Sequence, residues 1–355
     1  MPVLSAPRDA RGPAVPAGPA SRRRTGPLVA GLLLLAVALV AVCAFSLAVG
    51  ANALPPRTVW QALTHYDPAD PHHLVIVEKR LPRTLVGVVA GLGLAVAGVV
   101  VQGLTRNPMA DPGLLGVSSG ASLAVVVAVS VLGVQDGGRI WFAFAGAAVV
   151  TAFVYGVAGA GRRGGAGPVT LVLAGAAVTA ALTSLVTAVL LTDRSALDQM
   201  RFWQVGALAA RGFPVLWQTL PGIAAGLVLA VAVSRPLNGL ALGEDTARGL
   251  GQRVGLTRAL ATLTVVLLCG SATAAAGPVA FAGLIVAHTS RRLAGPDHRW
   301  MVPYAALSGP ILLIGCDVLG RIVARPGELQ VGVVVAAVGA PLLIALVRPR
   351  GRGRR

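Results

Sequence analysis

The sequence predicts an all-α, polytopic membrane protein of about ten transmembrane helices with both termini in the cytoplasm. Three observations carry this. Of 355 residues, 55% are hydrophobic and 12% charged, against roughly a quarter charged in soluble domains. Uncharged apolar stretches of membrane length recur from residue 28 to residue 347, and helices of such length satisfy their own backbone in lipid. Arginines gather at both ends of the chain: Arg8, Arg11 and Arg22 to Arg24 at the front, Arg348, Arg350, Arg352, Arg354 and Arg355 at the back.

Residues 1–27, rich in Pro, Ala and Arg, are expected to form a disordered cytoplasmic tail, 28–347 the membrane domain, and 348–355 a basic cytoplasmic tail. SRRRTGP (21–27) contains a twin arginine but lacks the usual apolar and lysine continuation. VAVC (40–43) has Val42 where a lipoprotein cleavage site needs a small residue. The first span is therefore expected to be uncleaved.

The spans fall near 28–49, 84–103, 114–132, 140–160, 169–191, 214–233, 259–276, 279–290, 302–320 and 331–347. The run 259–290 is too long for one straight helix, and Gly277-Pro278 supplies the break. Basic tails belong in the cytoplasm by the positive-inside rule, which requires an even number of spans. Ten spans place 20 Arg and Lys inside and 10 outside. Lys79, Arg80 and Arg83, just before the second span, then face outward, as do Arg321 and Arg325 after the ninth. Snorkelling of long side chains at the interface is one account of them.

A net charge of +17 and a pI of about 11.7 would suggest nucleic acid in a soluble protein. Here the cations are spread over many short loops and both tails, so the lipid bilayer is the expected partner and nucleic acid is not. Cys43, Cys269 and Cys316 sit in apolar runs without paired spacing, which predicts neither metal site nor disulfide. The 45 glycines suit close helix approach in a membrane.

Among the loops, 102–120 (QGLTRNPMADPGLLGVSSG) stands out. Pro108 and Pro112 stop helix, while Asn107 and Asp111 precede them and can cap backbone groups. This is expected to be an unusually ordered inner loop. LALGEDTARGLGQRVG (240–255) reads as a short helix ended by Gly249 or Gly251. Glu244, Asp245, Arg248 and Arg253 form a polar face; Leu240, Leu242, Ala247 and Leu250 form an apolar one. Such a helix suits a cleft on another protein or the membrane surface.

GVSSG (116–120) matches G-x-S-x-G, with His288 as a formal partner for a serine hydrolase. The motif needs a strand–turn–helix context that a span start does not offer. His72 and His73 beside Asp67 and Asp70 could hold a metal weakly, though a solvated loop explains them better. A secondary transporter would place carboxylates deep within spans. None lies mid-span, and Asp317 falls near an outer end.

The stretch RLPRTLVGVVAGLGLAVAGVVVQGLTRNPMADPGLLGVSSGA (80–121) resembles the permease subunits of ATP-binding-cassette importers for iron–siderophores, haem and cobalamin, the FecCD type. SALDQMRFWQVGAL (195–208), LNGLALGEDTARGLG (237–251), AGPVAFAGLIVAHTSRRLAGPDHR (276–299) and GELQVGVVVAAVGAP (327–341) continue the likeness in order. The matching loop positions are Gln102, Arg106, Asn107, Pro108, Asp111, Pro112, Gly116, His288, Arg291, Gly295 and Asp297.

The resemblance implies ten helices, a second permease (identical or paralogous), two cytosolic ATPase subunits and an external substrate-binding protein. It makes the helix with Leu240, Leu242, Gly243, Glu244, Asp245, Arg248, Gly249 and Gly251 the element that couples to the ATPase. It makes Arg80, Arg83 and Arg321 docking positions for acidic residues of the binding protein. No GxxxxGK[ST] occurs, so this chain is expected to bind no cofactor and any ATP is used by a partner. Ala287-His288 and Gln330 depart from the family's usual Pro-His and Pro. Iron–siderophore, the commonest cargo in the family, is the expected one, with haem and cobalamin as alternatives.

Overall fold

The computed structural model describes residues 25–50, 52–134, 136–159 and 167–347. Among these the secondary structure is helical. In chain order the helices are α1 (Thr25–Ala48), α2 (Pro56–Thr64), α3 (Pro71–Leu74), α4 (Leu81–Thr105), α5 (Val117–Ser130), α6 (Asp136–Gly159), α7 (Pro168–Thr192), α8 (Arg194–Gln204), α9 (Phe213–Ala241), α10 (Glu244–Gly249), α11 (Val254–Ala276), α12 (Ala282–Ala294), α13 (His298–Val323) and α14 (Val331–Val347). A π turn, Val75–Arg80, leads into α4, and a 3₁₀ turn, Pro112–Leu115, precedes α5.

Each of the ten apolar stretches falls on a helix. Seven helical segments among the described residues are long and apolar enough to cross a membrane; Val117–Ser130 and Val331–Ala345 are shorter, and α12 has 13 residues. The break predicted at Gly277-Pro278 is present, with Gly277 at φ 75°. Two expectations shift: α1 begins at Thr25, and α2, α3 and α8 are additional helices in the loops. The basic tails lie outside the described residues.

α4 is the axis of the bundle. Its run from Leu85 to Val101 is apolar or glycine on every side, the pattern of a helix surrounded by others. It packs against α13, α11, α9 and α12, and 78% of its apolar window is buried. In α1 that share is 6%; Leu33, Leu34, Val37 and Val40 are exposed and form a lipid-facing surface. Immediately before α4, Leu81 N–H bonds the Ile76 carbonyl, five residues back. This widened turn precedes Pro82, whose ring would crowd the Glu78 carbonyl in a regular helix.

Glycine lets α4 touch its neighbours backbone to backbone. A Cβ on Gly98 would lie 2.3 Å from the Gly283 carbonyl oxygen in α12, and one on Gly309 of α13 would lie 2.2 Å from the Gly91 oxygen. Gly98→Val is expected to force these helices apart at a cost of about 1–3 kcal/mol, typical of overpacking, read as a lower Tm in detergent. Gly156→Val, where a Cβ meets nothing within 4 Å, should leave Tm near wild type.

Candidate functional site

The two ends of α4 carry the charged groups singled out in the sequence. At the Arg80 end, the last turn of α1 leaves carbonyls without helical partners. Arginines occupy them. Arg80 donates to the carbonyls of Leu47 (2.7 Å), Ala48 (2.8 Å) and Asn52 (2.6 Å). Arg321 donates to those of Ser46 (3.0 Å) and Val49 (2.8 Å) and to Ser46 Oγ (2.7 Å). Arg325 reaches the Gly50 carbonyl at 3.0 Å. Cations at a helix C-terminus also complement its dipole.

Asp317 lies behind this layer, receiving Arg83 through Nε at 3.0 Å and Nη2 at 2.8 Å, and Arg321 through Nη2 at 3.0 Å. Arg83 also bonds Glu328 at 2.7 Å. A cavity of about 250 Å³ opens here, lined by Lys79, Arg80, Arg83, Arg321, His72 and Glu328 among others.

This corrects one feature of the docking expectation. Arg80 and Arg321 are not rim charges: they are 8% and 2% exposed, because their guanidiniums are committed to the end of α1. Arg83 is committed to two carboxylates. Lys79 in the cavity wall is exposed, as are Arg325 and, on α2, Arg57. Asp317 is not a lone carboxylate poised to carry an ion, since two guanidiniums hold it.

The opposite end is ordered as predicted. Arg106 closes α4 in the left-handed region at φ 50°. Asn107 Oδ1 accepts the Met109 N–H at 2.9 Å, and Asp111 Oδ1 accepts the Gly113 N–H at 2.9 Å. Burial raises the Asp111 pKa, partly opposed by that N–H. Gly116, at φ 76°, turns the chain into α5. The His288 ring bonds the Pro108 carbonyl, which ties α12 to the loop. Arg291 Nη2 meets buried Gln102 Oε1 at 3.4 Å.

Gly295, at φ 84°, ends α12, and Asp297 caps α13 by accepting the Arg299 N–H at 3.0 Å. Hydrogen bonds from the Arg299 side chain, opposed in part by burial, hold the Asp297 pKa down at about 2, so it is ionised at neutral pH. Asn238 at the end of α9 donates to Asp297 (2.6 Å) and accepts from the His298 N–H (2.9 Å). Its Oδ1 is thereby an acceptor, so His298 Nδ1, 2.7 Å away, carries the proton. Asn238 was not among the predicted site residues, although it lies within the quoted 237–251 motif.

α10 lies at this same end, directly after α9. Glu244 is paired with buried Arg258 and with Arg248, which also reaches Asp245. Gln252 Nε2 donates to the Pro236 carbonyl at 2.8 Å, and Gly243 and Gly251 take positive φ. The expected apolar face divides: Leu240 and Ala247 are buried within the chain, while Leu242 and Leu250 are 67% and 71% exposed. Inward packing of α10 on α9 and α11 accounts for the division.

The remaining motifs resolve as structure. Ser118 of GVSSG lies within helix α5, and Gly120 packs against Gly146 of α6, where a Cβ would meet the Gly146 oxygen at 2.5 Å. His73 Nδ1 accepts the Asp67 N–H at 3.1 Å, a turn contact. Among the described residues no group of three or more ligating side chains could hold a metal.

A family model, the FecCD transport family, matches residues 38–349. The chain belongs to the FecCD transport family. It is 45% identical over 329 residues to the ferric enterobactin transport system permease protein FepD of Escherichia coli, covering 92% of this chain and 96% of that protein. It is 34% identical to the hemin transport system permease protein HmuU of Yersinia pestis, covering 90% and 95%. A solved structure described as an inward-facing metal-chelate type ABC transporter superposes with a TM-score of 0.79 at 27% identity, covering 89% of this chain and 98% of that one. The chain is thus a multi-pass membrane protein of a transport family.

The arginine layer generates a stability prediction. Arg321→Met leaves Asp317 with Arg83 alone and frees the Ser46 and Val49 carbonyls; losing one partner of a buried pair costs about 3–5 kcal/mol. Thermal unfolding in detergent should show a large fall in Tm for Arg321→Met and little change for exposed Lys79→Gln.

Proposed function

We propose that this chain is the permease subunit of an ATP-driven importer that moves an iron–siderophore complex from an external binding protein into the cytoplasm. Ten spans with both termini inside would put the Arg80 end outward and α10 in the cytoplasm. A second permease, identical or paralogous, completes the pathway, and two cytosolic ATPases supply the work. The names of the relatives favour iron–siderophore, with haem and cobalamin as alternatives within the same family.

The observation that carries this reading is the exposed pair Leu242 and Leu250 flanking a helix pinned from behind by Arg258 and Gln252. Apolar side chains fixed on a rigid, polar-rimmed tip suit a cleft on a partner. Glu244, by contrast, is spoken for inside the chain, so coupling falls to the leucines and Asp245. Leu242→Glu with Leu250→Glu should reduce ATPase co-purification at least tenfold while leaving membrane insertion and Tm intact. Wild-type recovery of the ATPase would assign α10 to the membrane surface instead.

At the outer end, four cations and one carboxylate line the arginine cavity, so an acidic binding protein is drawn there by field. Lys79→Glu with Arg57→Glu should slow its association several-fold at low salt. The difference should shrink as salt rises, since exposed charges are screened over about 8 Å at physiological ionic strength. Stopped-flow association with reconstituted permease measures both.

A further inference from the structure

Asn238 lies in the last turn of α9, and α10 follows directly. Its amide serves two residues at the start of α13. Nδ2 donates to Asp297 at 2.6 Å; Oδ1 accepts the His298 N–H at 2.9 Å and the proton on His298 Nδ1 at 2.7 Å. That N–H is among the first of α13, which have no partner within their own helix. Asn238 therefore caps a helix to which it does not belong. An amide carries donor and acceptor on separate atoms, so one side chain can hold the carboxylate and the ring together. The far edge of the ring is fixed by α4: a Cβ on Gly103 would lie 2.5 Å from His298 Nε2. The imidazole is buried, wedged between Asn238 and that glycine. Beside it, Gln102 meets Arg291 of α12, so α9, α13, α4 and α12 join at one polar knot.

α13 runs from this knot to the arginine layer. From His298 to Arg321 it spans about 35 Å, at 1.5 Å per residue. Near its middle it is seated on α4 by the backbone contact of Gly309 with Gly91. At its far end Arg321 and Asp317 hold the last carbonyls of α1 and the Arg83 guanidinium. A displacement of α10 passes into α11 through Glu244 and Arg258, and into α9 through the chain itself. α9 and α11 pack on one another. Asn238 is where that pair is hydrogen-bonded to α13.

We infer that Asn238 is a positioning residue for transport, tying the α10 end of α9 to α13 so that the state of α10 reaches the Arg321 end. The inference rests on the importer reading, in which α10 meets the ATPase and the Arg321 end meets the binding protein. It deepens that reading by naming the side chain through which the two ends answer to each other. Such coupling is reciprocal: what α10 sends outward through Asn238, docking at the outer end sends back.

The test measures amide hydrogen exchange of the full chain in lipid nanodiscs. Asn238→Ala should speed exchange about tenfold in the first turn of α13 and about threefold over Ser46–Val49, at the other end of α13, because local opening spreads through linked segments. Asn238→Ser, which keeps one acceptor, should fall between Asn238→Ala and wild type. Gln252→Ala frees α10 from the Pro236 carbonyl but leaves Asn238 in place, so its effect should stay near α10. Asn238→Asp combined with Asp297→Asn exchanges donor and acceptor across the tie and should restore both segments. A change confined to the first turn of α13 would mean that flexure at Pro303 or Pro310 absorbs the motion, and it would overturn the proposal. Equal spread from Gln252→Ala, or failure of the exchanged pair to restore, would do the same. In the transporter reconstituted with its ATPases and binding protein, the ratio of ATPase rates with and without binding protein should fall about fivefold in Asn238→Ala and recover in the exchanged pair; an unchanged ratio also overturns the proposal. Absence of ATP-dependent uptake by the wild-type assembly, with the long-range exchange effect intact, sinks the importer reading, whereas uptake with only a local effect sinks the role of Asn238 alone.

Discussion

The fold depends on how closely α4 is approached by its neighbours. In a membrane, apolar side chains gain little from leaving lipid for one another, so helices associate through packing and polar contacts. Gly91 against Gly309 and Gly98 against Gly283 remove the side chains that would keep backbones apart. That contact fixes where α12 and α13 cross α4, and hence where their charged ends emerge. The Arg80 layer and the Arg106 loop are assembled at the two ends of a helix whose position is set by four missing methyl groups.

Charge at the Arg80 end serves the protein before it serves any partner. Burying a guanidinium without partners would be prohibitive. Here the partners are the orphan carbonyls of α1, which also packs along α13. Arg80, Arg321 and Arg325 thus attach a lipid-facing helix to the core through its own backbone. Arg83 and Arg321 share Asp317, and that sharing offsets part of the repulsion between neighbouring guanidiniums. The field that reaches outward is what remains.

Much of this was legible in the sequence. Apolar runs located each main helix, since lipid enforces length and continuity, and the Pro and Gly positions located the breaks. The Asx turns at Asn107 and Asp111 were readable because their chemistry is local. What was not readable depended on distance along the chain: the arginines at 80 and 321 look like interfacial anchors until the end of α1 is brought beside them. The apolar face of α10 divided for the same reason, because Leu240 and Ala247 meet α9 and α11. Asn238, a single polar residue at a helix end, gave no signal until Asp297 and His298 arrived beside it.

The loop after α8 has a mechanical meaning. Gly206 is hydrogen-bonded to Gly332 at the start of α14, and Ala207 to Ala276 at the end of α11. The carbonyl of Trp203 sits where a side chain on Gly277 would be, 2.0 Å from its Cβ position, and that of Val205 where one on Gly332 would be, at 1.8 Å. There is no slack between these segments. A displacement of α8 therefore drags the ends of two other helices with it or first breaks both bonds, so the three behave as one lever with a shared pivot rather than as independent flaps.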